Sequence, residues 1–176
     1  MSKNLVLILG GVRSGKSRYA QQLASDDGGS VLFLATAEAG DDEMKRRISK
    51  HKSSRPASWT TIEEPLDIAS ALKSKAATAD VVLIDCITVW LSNLLLRENG
   101  ATEEEMLAEI DKLLNAYERG KTSYIIVSGE VGMGIVPEYP LGRIFRDYLG
   151  LANQRLAAKA DRVVLMVAGI RVDVKK

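Results

Sequence analysis

The sequence contains only one cysteine, Cys86, and only one histidine, His51, among its 176 residues. A single cysteine excludes an internal disulfide and favours a reducing compartment. Its neighbours Ile84 and Ile87 indicate a buried thiol rather than a catalytic one. With one histidine and one cysteine, a zinc centre built from these residue types is disfavoured.

The sequence also has little net charge and no long apolar run. Its 24 Lys and Arg residues and 23 Asp and Glu residues give a net charge of +1, and no basic block stands out. Nothing therefore demands a nucleic-acid or anionic-membrane partner. No apolar run approaches the roughly 18 residues of a membrane span. We expect a cytoplasmic protein with one catalytic domain over residues 1–176.

Residues 5–23 have the pattern of a strand, a glycine loop and a helix. The segment GGVRSGKS follows the apolar run Leu5–Leu9 and matches G-x-x-x-x-G-K-[ST] at every fixed position. Glycines let backbone N–H groups approach phosphates, while the lysine reaches the β- and γ-phosphates and the serine joins the Mg²⁺ shell. A chance glycine-rich turn is the alternative, but the flanking elements favour nucleotide binding. The predicted nucleotide-binding residues are Gly10, Gly11, Val12, Arg13, Ser14, Gly15, Lys16 and Ser17.

Apolar runs of strand length alternate with helical patterns along the rest of the chain. The further runs are Val31–Ala35, Val81–Asp85, Tyr124–Ser128 and Val163–Val167, the last followed by a charged tail. Helices are predicted over 41–51, after Pro65, over 87–96, from the capping box at Thr102 to Gly120, and over 141–160, where Ile144 is among the apolar residues expected to face inward. This order predicts an α/β fold of P-loop NTPase type (RecA-like), with an open, mostly parallel sheet and helices on both faces.

Asp85 ends an apolar strand in the manner of a Walker B acid. Such an acid would lie at the carboxyl edge of the sheet, near the P-loop and its metal, so Ser17 and Asp85 are the predicted Mg²⁺ ligands. The alternative is an acid that merely ends a strand. Because a P-loop lies upstream, the metal-site interpretation is favoured.

Two further segments are candidates for function. GEVGMGIVPE at 129–138 follows a predicted strand, and its composition fits a structural turn and a site loop equally well. His51 lies among Lys50, Lys52 and Arg55. A lone surface histidine is usually inert, but a neutral imidazole among cations suits nucleophilic attack on a phosphate.

Several motifs occur together in an order that resembles one enzyme family. They are GGVRSGKS, Asp41–Met44 leading to His51-Lys52 and Arg55-Pro56, Trp59, GEVGMGIVPE and Asn153–Ala157. From Leu5 to about Gly169 the chain resembles the bifunctional adenosylcobinamide kinases / adenosylcobinamide-phosphate guanylyltransferases of cobalamin assembly. The chain departs from the family pattern at two positions. It has Asp85 where the family is expected to have Glu, and Ser54 where the family frequently has glycine.

The resemblance implies two reactions and a set of site residues. ATP or GTP would phosphorylate adenosylcobinamide, and GTP would then donate GMP through a guanylylated His51, giving adenosylcobinamide-GDP and pyrophosphate. Lys16 would be the second catalytic residue, and the family is expected to form a homotrimer. Beyond the P-loop, the resemblance implies nucleotide contacts from Ala35, Thr36, Ala37, Lys52, Ser53, Ser54, Arg55, Glu63 and Asp85.

Two rival functions remain open at this stage. A P-loop small-molecule kinase without guanylyl transfer would use the same cradle and Mg²⁺. A RecA-like ATPase or switch module would need a basic groove or a partner-binding insertion, and neither is visible in this near-neutral sequence.

Overall fold

A computed structural model describes residues 3–38, 40, 42, 45–46, 49, 52 and 55–176 of the chain. Its strands are β1 Leu5–Gly10, β2 Val31–Ala35, β3 Thr60–Glu63, β4 Val81–Asp85, β5 Ser123–Val127, β6 Arg162–Val167 and β7 Ile170–Lys175. Its helices are α1 Lys16–Asp26, α2 Ile68–Lys75, α3 Ile87–Leu96, α4 Glu103–Arg119 and α5 Pro140–Lys159, with a 3₁₀ turn at Ala76–Thr78. The helix predicted from Asp41 to His51 falls mainly on residues outside the described part of the chain.

The strands form one sheet in the order β3-β2-β4-β5-β1-β6-β7. All neighbouring pairs are parallel except β6 and β7, which are antiparallel. The predicted open, mostly parallel sheet is therefore confirmed. Parallel pairing brings the carboxyl ends of the first six strands to one edge, where open α/β sheets place their ligands.

The inner strands β1, β2, β4, β5 and β6 are largely buried on both faces, which explains why they read as continuous apolar runs, whereas the edge strands β3 and β7 are largely exposed. Leu5 and Leu7 of β1 pack on one face of the sheet against α2 to α5, with Trp90 of α3 and Leu149 of α5. Val6 and Ile8 of β1 pack on the opposite face against α1, through side chains that include Ala20. Alternate residues of a single strand thus fill two separate cores, because successive side chains point to opposite sides.

Helix signals in the sequence match the observed helix ends. Thr102 and Glu105 form the predicted capping box, in which each side chain accepts a hydrogen bond from the other residue's backbone N–H. Gly120 ends α4 and α3 has the predicted bounds. Ile144, predicted to face inward from α5, is instead 40% exposed. Within the described residues, no helix is both long and apolar enough to cross a membrane.

The prediction that Val163–Val167 is the last strand is wrong. Ala168 and Gly169, both with positive φ, form a two-residue turn that reverses the chain into β7. The charged tail therefore completes a hairpin, and Ile170, Val172 and Val174 alternate with polar residues along it. The alternating pattern and the turn were available in the sequence, but the charges made the segment resemble a solvated tail.

Candidate active site

The register of the sheet gathers distant predicted residues at one edge. Ala35 of β2 pairs with Glu63 of β3 on one side and with Asp85 of β4 on the other. Next along the sheet, Val127 of β5 pairs with Asp85 and also with Ile8 of β1, two residues before the P-loop begins. The predicted nucleotide contacts therefore lie along one continuous line at the carboxyl ends of neighbouring strands.

The P-loop has backbone geometry that depends on glycine. Gly10 has φ 148° and Gly15 has φ 97°, both in the region that L side chains rarely adopt. A Cβ on Gly10 would lie 2.5 Å from the Met166 carbonyl oxygen and 2.7 Å from Ser14 Oγ. Gly15 then caps the start of α1, so the positive end of that helix faces the loop.

The polar side chains of this loop fit a phosphate ligand. Lys16 Nζ donates a hydrogen bond to the Gly11 carbonyl oxygen at 2.7 Å, so the ammonium lies against the loop. Ser14 is buried, and its hydroxyl has no hydrogen-bond partner within the described residues. A phosphate oxygen would satisfy this hydroxyl, since buried polar groups are normally paired. Val12 and Arg13 are exposed at the tip of the loop.

The β6–β7 turn supports the P-loop, a contact that the sequence reading missed. The Gly169 N–H donates to the Ser14 carbonyl oxygen at 2.9 Å. A Cβ on Gly15 would lie 3.3 Å from Gly169 Cα, so the two backbones are in close contact. The Ala168-Gly169 pair is the signal that could have revealed this turn.

Hydrogen bonds join Thr36, which follows β2, to Cys86, which follows β4. Thr36 is fully buried, and its hydroxyl donates to the Cys86 carbonyl oxygen at 2.8 Å while accepting from the Cys86 N–H at 2.9 Å. Asn93 of α3 donates to the Thr36 carbonyl oxygen at 2.8 Å. Ala35 and Ala37 therefore flank a braced position next to Asp85, where their backbone can line a nucleotide pocket.

Two basic residues, Arg55 and Lys52, lie at the part of this edge formed by β2 and β3. Arg55 stacks on the ring of Phe33, with its guanidinium carbon 3.7 Å from the ring centroid. Burial lowers the pKa of Arg55, while Asp85 and Glu63 act in the opposite sense and favour its charged form. Lys52 forms an ion pair with Glu63. Two of the predicted cationic contacts are thus placed beside the predicted acids.

Three predicted site residues, His51, Ser53 and Ser54, lie outside the described residues. Their neighbours Lys52 and Arg55 are the described part of that segment. The predicted roles of these three residues stay predictions.

Cys86 follows the predicted metal ligand directly but has the character of a structural thiol. Burial raises its pKa to about 11, and the Asp85 carboxylate acts in the same direction. The Lys16 ammonium lowers it, so Lys16 and Asp85 both act on this thiol. The thiol is therefore uncharged at neutral pH, which agrees with the predicted non-catalytic role.

The loop after β5, residues 128–139, lies beside the P-loop. The Glu130 N–H donates to the Gly10 carbonyl oxygen at 3.0 Å. Because β5 is placed between β1 and β4, this loop leaves the sheet between the P-loop and Asp85. Of the two interpretations left open for GEVGMGIVPE, this position favours the site loop.

Polar groups of α5 and α3 brace this β5–α5 loop. Asn153 is buried, donates to the Gly129 carbonyl oxygen at 2.9 Å and accepts from the Ser128 hydroxyl at 2.7 Å. Thr88 Oγ1 accepts from the Gly129 N–H at 2.5 Å. Helix α5 has more polar residues than a solvated face needs. At least one of them, Asn153, binds the loop, a role that the sequence did not reveal.

A cavity of about 1010 Å³ lies elsewhere, between α2, the end of α3 and α4. None of the described residues that line it is a predicted site residue, and Ala76 and Thr122 place part of it near the amino ends of β4 and β5. The ligand edge of the sheet is the opposite one. We therefore assign the candidate active site to the P-loop edge.

The fold and this edge define a P-loop nucleotide-binding protein. A profile described as cobinamide kinase / cobinamide phosphate guanyltransferase matches residues 6–174. The chain belongs to this family.

Curated relatives agree with the family match over nearly their whole length. A bifunctional adenosylcobalamin biosynthesis protein CobP of Pseudomonas aeruginosa is 44% identical, with 96% of each chain covered. Proteins named bifunctional adenosylcobalamin biosynthesis protein CobU are 43% identical in Salmonella typhimurium and 41% identical in Escherichia coli, with 97% of this chain and 99% of theirs covered. The resemblance derived from the motifs is confirmed.

Proposed function

We propose that this chain carries out two consecutive transfers on one corrinoid acceptor. ATP or GTP phosphorylates adenosylcobinamide, and GTP then donates GMP to the phosphorylated acceptor, giving adenosylcobinamide-GDP and pyrophosphate. The observation that carries the proposal is the alignment of Glu63, Ala35 and Asp85 with the P-loop along one sheet edge, in a member of this family.

In the first transfer, the acceptor hydroxyl oxygen bonds to the γ-phosphorus and the bond between that phosphorus and the β–γ bridging oxygen breaks. The nucleoside diphosphate leaves, and the hydroxyl proton passes to water. The P-loop N–H groups and Lys16 hold the negative charge of the triphosphate. Phosphoryl transfer relies mainly on positioning and charge, so this step needs no strong base.

In the second transfer, a ring nitrogen of His51 attacks the α-phosphorus of GTP. A nitrogen–phosphorus bond forms, the α–β phosphoanhydride bond breaks, and pyrophosphate leaves. A phosphate oxygen of the acceptor then displaces the histidine and takes the GMP. The positions of two residues close to His51 in the chain support its role as the nucleophile. Lys52 ion-pairs with Glu63 and Arg55 lies near Asp85, so the segment that carries His51 reaches the predicted nucleotide site.

Mg²⁺ is the proposed cofactor, held by Ser17, Asp85 and the nucleotide phosphates. The donor set fits, because Mg²⁺ is usually bound by one or two carboxylate or hydroxyl groups together with phosphates. When bound, Mg²⁺ neutralises charge that develops on the phosphates.

The direct test is to incubate the purified protein with adenosylcobinamide, GTP and Mg²⁺ and to identify the products by mass. We expect the phosphate ester and then the GDP derivative, with pyrophosphate released. GTP labelled at the α-phosphate should leave an acid-labile, base-stable label on the protein, absent from His51→Ala. Phosphate ester alone, with no label, would reduce the function to a kinase, and salt-dependent DNA binding with stimulated hydrolysis would favour an ATPase module.

We also propose that the protein forms a homo-oligomer, a trimer by family resemblance. The exposed apolar residues Ile170, Val172 and Val174 along the edge strand β7 support an interface between copies. Light scattering in solution should give three times the mass of 19.2 kDa. A monomer mass at micromolar concentration would contradict this assembly.

A further inference from the structure

The β5–α5 loop has an exposed apolar surface. Ile135 is 97% exposed, Met133 is 79% exposed and Tyr139 is 76% exposed, with Val136 also exposed between them. Scattered apolar residues on a surface are ordinary, but a group of them on one short loop indicates a binding surface.

This loop is held in one shape rather than free to fold its side chains away. Arg143 of α5 donates to the carbonyl oxygens of Pro137 at 3.1 Å and Glu138 at 2.5 Å. Arg146 donates to the Gly132 carbonyl oxygen at 2.7 Å. Hydrogen bonds from a charged donor are among the stronger ones, so the exposed side chains are presented by a braced backbone.

The two ends of the loop are also anchored. Glu130 Oε1 accepts from the Gly132 N–H at 2.7 Å, and Pro137 packs so closely on Gly142 that a Cβ there would lie 2.8 Å from Pro137 Cβ. A preorganised surface loses little entropy when a ligand binds it. The loop therefore has the properties of a ready binding platform.

The position of the platform limits what can bind it. The loop leaves β5, the strand between the P-loop strand and the strand of Asp85, and the Glu130 N–H donates to the Gly10 carbonyl oxygen at 3.0 Å. Met133 follows Glu130 by only three residues, so a molecule as large as a corrinoid seated on Met133 can extend to the phosphate cradle. The acceptor must occupy such a place, because its hydroxyl has to reach the terminal phosphate of the nucleotide.

We propose that this loop binds the macrocycle of the corrinoid acceptor through Met133, Ile135, Val136 and Tyr139. The inference rests on the proposed function. A corrinoid presents a large ring with methyl groups and methylene stems at its edge, and flexible methionine and aromatic side chains suit such an irregular apolar surface. The P-loop holds the nucleotide, and the neighbouring loop holds the acceptor beside it.

A second copy of the chain is the competing occupant of this surface. The edge strand β7 offers another exposed apolar row for contacts between copies, on the strand at the end of the sheet. The acceptor has no comparable choice, because its reacting hydroxyl must be near the P-loop. Proximity to the cradle therefore favours the corrinoid.

The test compares corrinoid affinity in Ile135→Ser and Met133→Ser with that of the unaltered protein. Adenosylcobinamide binding is measured by equilibrium dialysis with visible absorbance, GTP binding by a fluorescent analogue, and mass by light scattering. Because both side chains are exposed, the variants should fold normally. Leu96→Ser is the matched control, since Leu96 is 66% exposed at the end of α3 and off the loop.

We expect each loop variant to weaken corrinoid binding about tenfold or more, since burial of a large apolar side chain is lost. The GTP affinity and the oligomeric mass of the loop variants should be unchanged. The control Leu96→Ser should bind the corrinoid as the unaltered protein does. Unchanged corrinoid affinity in both loop variants, or a lower oligomeric mass, would overturn the inference. If the unaltered protein itself binds no adenosylcobinamide, the proposed function fails instead, so the two failures are distinguishable.

Discussion

The P-loop and the β5–α5 loop follow neighbouring parallel strands at the same edge, yet they are built in opposite ways. The P-loop is suited to present backbone N–H groups through glycines at φ 148° and 97°, and its shape depends on the absence of a Cβ atom at these two positions. The β5–α5 loop presents exposed side chains such as Ile135 on a backbone braced by Arg143 and Arg146. One loop suits a compact polyanion, and the other suits a large, partly apolar partner.

The difference shows how one small sheet edge can serve two unlike substrates. A phosphate is recognised by dipoles and charge that must be placed within a few tenths of an ångström. An apolar ring is recognised by contact area, which tolerates exchange of one side chain for another. Changes to the P-loop should therefore act on both transfers, whereas changes to the β5–α5 loop should act on the acceptor alone.

The largest expected effect comes from Lys16→Ala. Removing the Lys16 ammonium, which lies against the P-loop and is proposed to hold the phosphates, should slow phosphoryl and guanylyl transfer by about 10²–10³-fold. Corrinoid binding should not change, because the ammonium serves the nucleotide. Initial rates with mass-resolved products measure the loss, and Lys112→Ala on α4 is the control. Equal loss of corrinoid binding in Lys16→Ala would break the separation between the two loops.

Gly10→Ala should come next, with Gly11→Ala as its matched control. The added Cβ on Gly10 would meet the Met166 carbonyl oxygen at 2.5 Å, whereas no atom of the described residues lies within 4 Å of one on Gly11. We expect nucleotide affinity to fall about a hundredfold for Gly10→Ala from strain and overpacking together. The control should keep most of its affinity. Calorimetric titration with GTP compares them, and equal affinities would contradict the steric argument.

Asp85→Asn should affect the dependence on Mg²⁺ more than nucleotide binding itself. Losing one ligand carboxylate should weaken Mg²⁺ binding at least as much as losing an outer-shell partner of a ligand does, which is roughly 10–100-fold. Transfer rates at increasing Mg²⁺ concentration measure the shift. Asp85→Glu should remain active, because either acid can serve the metal. An unchanged Mg²⁺ dependence in Asp85→Asn would remove this residue from the metal site.

A smaller effect is expected from Arg146→Ala, which removes the hydrogen bond to the Gly132 carbonyl oxygen. The loop should lose part of its preorganisation, so KM for adenosylcobinamide should rise roughly three- to tenfold while nucleotide affinity is kept. Steady-state kinetics with each substrate varied in turn separate the two effects. Arg155→Ala on the same helix, where the side chain pairs with Asp111, is the control.

The smallest effect on the two transfers is expected from changes to Cys86. Because its pKa is raised to about 11, the thiol is protonated at pH 8, and the thiolate fraction is about a hundredfold below that of an ordinary cysteine. Alkylation should be slow at pH 8 and accelerate as the pH rises towards 11, as mass spectrometry can follow. Fast modification at pH 8 would show that the pKa is not raised. Cys86→Ala should leave both transfers essentially unchanged.

Much of the fold could be predicted because its strands and helices carry local signals. The bounds of α3 and the capping box of α4 follow from residues adjacent in the chain. The hairpin to β7 was missed because a charged, alternating segment resembles a solvated tail when its partner strand is unknown. Ile144 was placed inward because helical periodicity cannot tell which neighbour a face will meet.

The candidate active site likewise has a part that could be predicted from the sequence and a part that could not. The P-loop is recognisable from sequence because its function resides in one contiguous segment whose residue types are dictated by phosphate chemistry. The bracing of Gly132 and Gly129 by side chains of α3 and α5 was not predictable, because those contacts join residues 14 to 41 positions apart. The support of Ser14 by the Gly169 turn is of the same kind.

The phosphate cradle, the class of fold and the family follow from the amino-acid sequence alone, because these depend on local residue patterns and on motif order. The alignment of Glu63, Ala35 and Asp85 side by side, and the exit of an apolar loop between the P-loop and Asp85, follow only from the pairing of strands that are distant in the chain. These features depend on strand order, because β5 pairs with β4 and β1 through contacts between distant parts of the chain, and no local pattern encodes that choice of neighbours.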